Sequence, residues 1–105
     1  MTQIITIQNS VSKETLAKGV PVFIEGNYYF DKSDVDLELL TKKDSMYHCP
    51  IKNADADYYY LKDNETVEIG WCYETVKSSL FEGVAGKIGF YGRNTDKTKV
   101  EIIEV

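Results

Sequence analysis

The chain has 105 residues, 43% of them hydrophobic and 28% charged, with a formal net charge of −5. That is the composition of one folded domain (residues 1–105), long enough to build a core without disulfide or metal staples, and it is not that of a disordered chain. Arg93 is the only arginine, the lysines are scattered, and no stretch nears the roughly twenty apolar residues of a membrane span, so the acidic chain is not expected to meet nucleic acid or a membrane.

Residues 1–7 carry neither a basic segment nor a long apolar run, so they do not read as a signal peptide. Two cysteines without an export signal point to a reducing, cytoplasmic setting with both thiols free. The β-branched run at 4–7 predicts an opening strand. Residues 12–19 fit either a helical turn closed by Gly19 or an irregular strand. Residues 20–25 alternate as a strand, and Pro21 confines that strand to an edge or a strand start. Glu25-Gly26-Asn27 is a turn signal, after which Tyr28-Tyr29-Phe30 resumes extended structure.

Ser33 stands before acidic residues as a helix N-cap would, yet Val35, Leu37 and Leu39 alternate at a period of two. One helical turn followed by a short extended piece reconciles the two signals. The clearest element is a hairpin over residues 56–73, turning at Lys62-Asp63-Asn64-Glu65. Alternation places Ala56, Tyr58 and Tyr60 on one face of its first strand. It places Val67, Ile69, Trp71 and Tyr73 on one face of the second, opposite Thr66, Glu68, Gly70 and Cys72. A connection follows, with one helical turn around 76–81, then strands at 86–91 and 99–104. Short strands separated by turn residues predict an all-β, mainly antiparallel domain with at most one or two short helical turns.

The chemistry-bearing residues gather near the middle. His48 and Cys49 are neighbours, and neighbours in an extended chain point to opposite faces, a poor geometry for a thiolate–imidazole pair. Cys49 is therefore either a packed thiol or, as the one candidate catalytic residue, a reactive one that alkylates quickly below its ordinary pKa of about 8.5. His48, Cys49 and Cys72 fall short of a four-ligand zinc set and no Cys-x-x-Cys pair exists, so no metal or cofactor is expected. Asp55 and Asp57 share a face if the strand has begun there; such a pair serves acid–base work, a cation site or simply a solvated strand entry. Eight tyrosines and one tryptophan are many for a small core that must satisfy each hydroxyl and indole N–H. They either pack the sheet or wall a pocket.

Several segments also resemble a known family in order and spacing. They are Glu25-Gly26-Asn27-Tyr28-Tyr29-Phe30, Asp34-Val35 with Glu38-Leu39-Leu40, and His48-Cys49-Pro50-Ile51-Lys52. Ala56 with Tyr58-Tyr59, Gly70-Trp71-Cys72-Tyr73 and Gly86-Lys87-Ile88-Gly89-Phe90-Tyr91 complete the set. Together they resemble the small proteins grouped as domain of unknown function 427, sometimes labelled nucleotidyltransferase-like. The resemblance runs from residue 4 to about the end of the chain. It departs where the family's Cys-Pro-aromatic-Lys-Gly reads Cys49-Pro50-Ile51-Lys52-Asn53, and at Cys72. It implies a β-tent-like fold, an architecture whose other members often hold zinc on paired Cys-x-x-Cys knuckles that are missing here. It implies no activity, and neither a glycine-rich phosphate loop nor an acidic metal–nucleotide triad supports the nucleotidyltransferase label.

The functional expectation is a binding module with an aromatic-lined pocket for a small planar or anionic metabolite. Tyr58, Tyr60, Trp71 and Tyr73 would form its wall, with His48 and Lys52 at its rim. The alternative is an enzyme using the Cys49 thiol, or Asp55, Asp57 and Lys52 in acid–base chemistry. The alternative for Trp71 is a plain core anchor. Oligomeric state is not legible in the sequence.

Overall fold

The computed structural model describes residues 2–50, 54–77 and 79–105, without the side chains of residues 44–47, 49, 79 and 80. Among the described residues nine strands form two antiparallel sheets, so the fold is all-β, as the alternation predicts. The smaller sheet has the order β2-β1-β9, from Thr15–Gly19, Gln3–Asn9 and Thr98–Glu104. The larger has the order β3-β4-β8-β7-β6-β5. Its strands are Val22–Ile24, Asn27–Phe30, Ile88–Tyr91, Asn64–Tyr73, Ala54–Leu61 and Leu40–Cys49. Among the described residues no helix is long and apolar enough to cross a membrane.

Strand periodicity explains how the sheets meet. Ile5 and Ile7 on β1 and Leu16 and Ala17 on β2 turn inward onto Phe30, Leu40, Tyr59, Ile88 and Phe90 of the larger sheet. Phe30 and Phe90 meet there edge to face, 5.9 Å between centroids. The opposite face of the larger sheet is covered differently. Val76 and Val84, with Phe81, lie against Tyr29, Ala54, Ala56, Trp71 and Tyr73.

Local chemistry sets the connections. β3 is an edge strand that begins just after Pro21, the position to which a proline is confined. It turns into β4 through Glu25 and Gly26, at φ 54° and 79°. Two positive φ values in a two-residue loop make a type I′ turn, whose twist suits the flanking strands. Of residues 12–19, residues 15–19 form strand, as β2, and residues 12–14 lead into it outside any strand or helix.

Several expectations are corrected. Ser33 lies inside a 3₁₀ segment, Lys32–Asp34, and does not cap it; Asp31 holds that position. The piece expected to be extended contains a second 3₁₀ segment, Leu37–Leu39, capped by the Asp36 carboxylate, which accepts from the Glu38 N–H. Only Val35, bridged to Ala17, keeps the extended pairing. A third 3₁₀ segment, Ser79–Val84, lies slightly later than the turn expected at 76–81. The hairpin loop narrows to Lys62-Asp63, because Leu61 pairs with Asn64.

The hairpin also breaks its own alternation. Tyr59 pairs with Gly70 but Tyr60 pairs with Glu68, so Ile69 is an extra residue on β7. This is a β-bulge, and it turns Ile69 and Glu68 to the faces opposite those that strict alternation gives them, before a second register shift between Tyr60 and Leu61. Ile69 accordingly packs with Cys72 between the sheets, not beside Trp71 and Tyr73 as strict alternation predicts.

One glycine decides the covered face. Gly89 is the ladder partner of both Tyr29 and Trp71, so the three lie in a row across β4, β8 and β7. A Cβ at Gly89 would stand 2.7 Å from Trp71 Nε1 and 2.7 Å from Tyr29 Cε2. Gly89→Ala is expected to destabilise the fold by about 1–3 kcal/mol through overpacking, read as a lower urea midpoint; an unchanged midpoint contradicts this packing.

Candidate functional site

The row Tyr29–Gly89–Trp71 continues into a pocket. Without a side chain at Gly89, the Trp71 indole N–H reaches across and donates to the Tyr29 hydroxyl at 3.2 Å. The ring is held edge to face by Tyr29, 6.1 Å away, and by Tyr91, 5.1 Å away. Trp71 is thus 8% exposed, both a core anchor and a wall. Beside it opens a cavity of about 220 Å³ lined by Asn27, Tyr58, Glu68, Trp71, Tyr73 and Tyr91.

Each lining residue arrives by sheet register. Tyr58 is the cross-strand partner of Trp71, and Tyr73 follows Trp71 by two residues on the same face. Tyr91 follows Gly89 by two, and Asn27 is its partner on β4. Glu68 is the exception: strict alternation puts it opposite Trp71, and the bulge at Ile69 returns it to Trp71's side. The side chain of the half-buried Glu68 makes no hydrogen bond or ion pair with another described residue. Arg93 stands over the Tyr91 ring at 4.9 Å without lining the pocket.

The residues expected to form one site are divided. Tyr58, Trp71 and Tyr73 line the aromatic pocket. Tyr60 does not; Lys43 Nζ sits 4.5 Å from its ring centroid. Lys52 and the Cys49 side chain lie outside the described residues, although the Cys49 backbone pairs with Ala54. His48 lines a separate cleft of about 250 Å³ with Ala54, Asp55, Asp57, Glu74, Thr75 and Lys77. His48 faces Asp55 across the ladder, and His48 Nδ1 lies 2.8 Å from Asp55 Oδ1. A carboxylate on one ring nitrogen orients the imidazole and leaves the other to exchange a proton or bind a polar group.

The other carboxylates of that cleft are engaged from within. Lys42 Nζ lies 3.6 Å from Asp57 Oδ2. Lys32 Nζ lies 2.5 Å from Glu74 Oε1, and the Cys72 thiol donates to the same oxygen at 3.1 Å. The hydrogen bond from Lys32, then that from Cys72, holds the Glu74 carboxyl below its usual range, and the same pairing raises Lys32. Burial raises the Tyr59 hydroxyl. Burial first, then the bond to Glu74, pushes the Cys72 thiol up to about 12. Cys72 is therefore a protonated, packed thiol rather than a nucleophile. Among the described residues no group of His, Cys, Asp and Glu is arranged to hold a metal ion.

Sequence reasoning missed Asn27, Glu68 and Tyr91 in the pocket. Tyr91 and Asn27 carry no local signal, since only the register of β4 on β8 brings them together. Glu68 had one, because Gly70 in the interior of a strand is a mark of a bulge.

Residues 21–101 fit the family model described as Domain of unknown function (DUF427). No curated protein matches the chain.

The Cys72 environment has a measurable consequence. A folded-state pKa raised above the unfolded value keeps the native thiol protonated while the unfolded thiol ionises. Its stabilisation is complete below the unfolded value of about 8.5 and is lost as pH rises toward about 12. Unfolding free energy is expected to fall above pH 9, more steeply in the wild type than in Cys72→Ala. Cys72 is also expected to resist iodoacetamide at pH 8 until denaturant unfolds the chain. Rapid native-state modification at Cys72, mapped by peptide mass, contradicts this.

Proposed function

The chain belongs to the DUF427 family, a membership that assigns no activity, and from that premise we propose that it is a small-molecule-binding domain. Its ligand seat is the aromatic pocket of the larger sheet. The observation that carries this reading is the convergence of Tyr58, Trp71, Tyr73 and Tyr91 on one open cavity. Rings that only packed a core would close on one another, whereas Tyr91 remains 39% exposed at the rim. Rigid aromatic walls with a few polar groups are the ordinary construction of a ligand site. At about 220 Å³ the pocket is smaller than the ~300–1,000 Å³ of drug-sized sites, so it suits a compact or flat ligand of few atoms.

One observation favours the enzymatic alternative: the oriented His48–Asp55 pair facing the polar cleft. Against it, Asp57 is paired with Lys42, Glu74 with Lys32, and Cys72 is held protonated. Two of the cleft's carboxylates are thus already paired with lysines, and the aromatic pocket carries the stronger case.

Trp71 is the only tryptophan, so its fluorescence reports directly on the pocket. A screen of small cellular metabolites is expected to yield compounds that raise the melting temperature and saturably change Trp71 emission. Tyr91→Ala, at the exposed rim, is expected to cost about 1 kcal/mol of stability or less and to weaken those compounds severalfold. Compounds that stabilise the protein without affecting Trp71 emission, and equally in Tyr91→Ala, place the ligand elsewhere and overturn the reading.

A further inference from the structure

Resting on that pocket as the ligand seat, we propose that its ligand is a small organic cation, an ammonium or quaternary ammonium group. Glu68 is the acidic group among the pocket's lining residues. This carboxylate lines a cavity whose other named walls are Tyr58, Trp71, Tyr73 and Tyr91, with Asn27. It is half-buried and has no hydrogen-bond or ionic partner among the described residues. Asp57, Glu74, Asp55 and Asp31, by contrast, each face a cationic or imidazole partner. A carboxylate offers only acceptors, so the complementary ligand group is a donor or a positive charge.

The rings add the same preference. An aromatic face is electronegative, and a cage of such faces around a carboxylate is a recurring receptor for ammonium groups. Nearby rings already take this kind of contact, for Arg93 stands over Tyr91 and Lys43 over Tyr60. Neither cation lines the pocket or bridges to Glu68, so neither neutralises it. The net charge of −5 also favours approach of a cation over an anion. This points to a cation rather than the planar or anionic metabolite expected from sequence, since the charged group among the named lining residues is the Glu68 carboxylate and His48 lines the other cleft.

The geometry arises from the bulge at Ile69. Were the strand unbroken, with Ile69 in the regular ladder, Glu68 would face the smaller sheet, where Tyr59 and Cys72 are buried. A bulge that re-aims one side chain beside a cavity is a frequent device at binding sites.

The test uses the whole chain and titrates Trp71 fluorescence at constant ionic strength with choline and with 3,3-dimethylbutanol, its uncharged isostere. Choline is expected to change the emission saturably, with the isostere at least about tenfold weaker. Glu68→Gln, which keeps the shape and removes the charge, is expected to weaken choline at least about tenfold while leaving the melting temperature unchanged. Equal responses to choline and isostere, or a Glu68→Gln protein that binds choline as well as wild type, overturn the cation assignment. If neither probe binds but neutral or anionic compounds from the metabolite screen quench Trp71, the cation assignment fails and the pocket stands. If no compound of any charge perturbs Trp71, both fall.

Discussion

The larger sheet depends on one close approach. Trp71 can lie flat over the ladder and hydrogen-bond Tyr29 only because the residue between them, Gly89, has no side chain. A buried indole N–H without a partner is costly, and so is a void beside a large ring. Gly89 resolves both demands, letting the N–H reach an acceptor and the ring fill the space. Tyr29 is fixed in turn by the same bond, and Ala54, Ala56 and Val84 pack around the pair. The aromatic pocket is the outer margin of this arrangement, so its walls inherit the rigidity of the core.

The bulge in β7 performs a different task. It lets one strand serve two environments: Ile69 and Cys72 face the space between the sheets, while Glu68, Trp71 and Tyr73 face the other side. An unbroken strand would put Glu68 among apolar neighbours, an expensive place for a carboxylate. The bulge thus satisfies folding and at the same time equips an aromatic-lined cavity with its acidic group. Polar strain elsewhere is absorbed locally. Lys32 bonds to Glu74, which also accepts from Cys72, tying the segment after β4 to the end of β7.

What the sequence by itself determined was the class of fold and most of its elements. Period-two alternation, edge-compatible Pro21, the Glu25-Gly26 turn and the central hairpin are signals carried within a few residues, and such local signals persist in the folded chain. The family was legible too, in the ordered segments from Glu25 to Tyr91. So was part of the cavity lining: Trp71 and Tyr73 share a face because alternation along one strand requires it, whereas Tyr58 joins them only through the register of β6 on β7.

The tertiary structure decided the rest, for reasons of distance along the chain. Whether residues 12–19 form strand or turn depends on pairing with β1, since isolated they support either. The bulge depends on how Tyr59 and Tyr60 register against β7, and a one-residue slip inverts every later face. That slip moved Glu68 into the pocket and Ile69 out of the aromatic wall. The separation of His48 from the aromatic residues likewise follows from sheet register, which sets His48 opposite Asp55 on the other face. Proximity in sequence suggested one site; the two faces of a sheet made two.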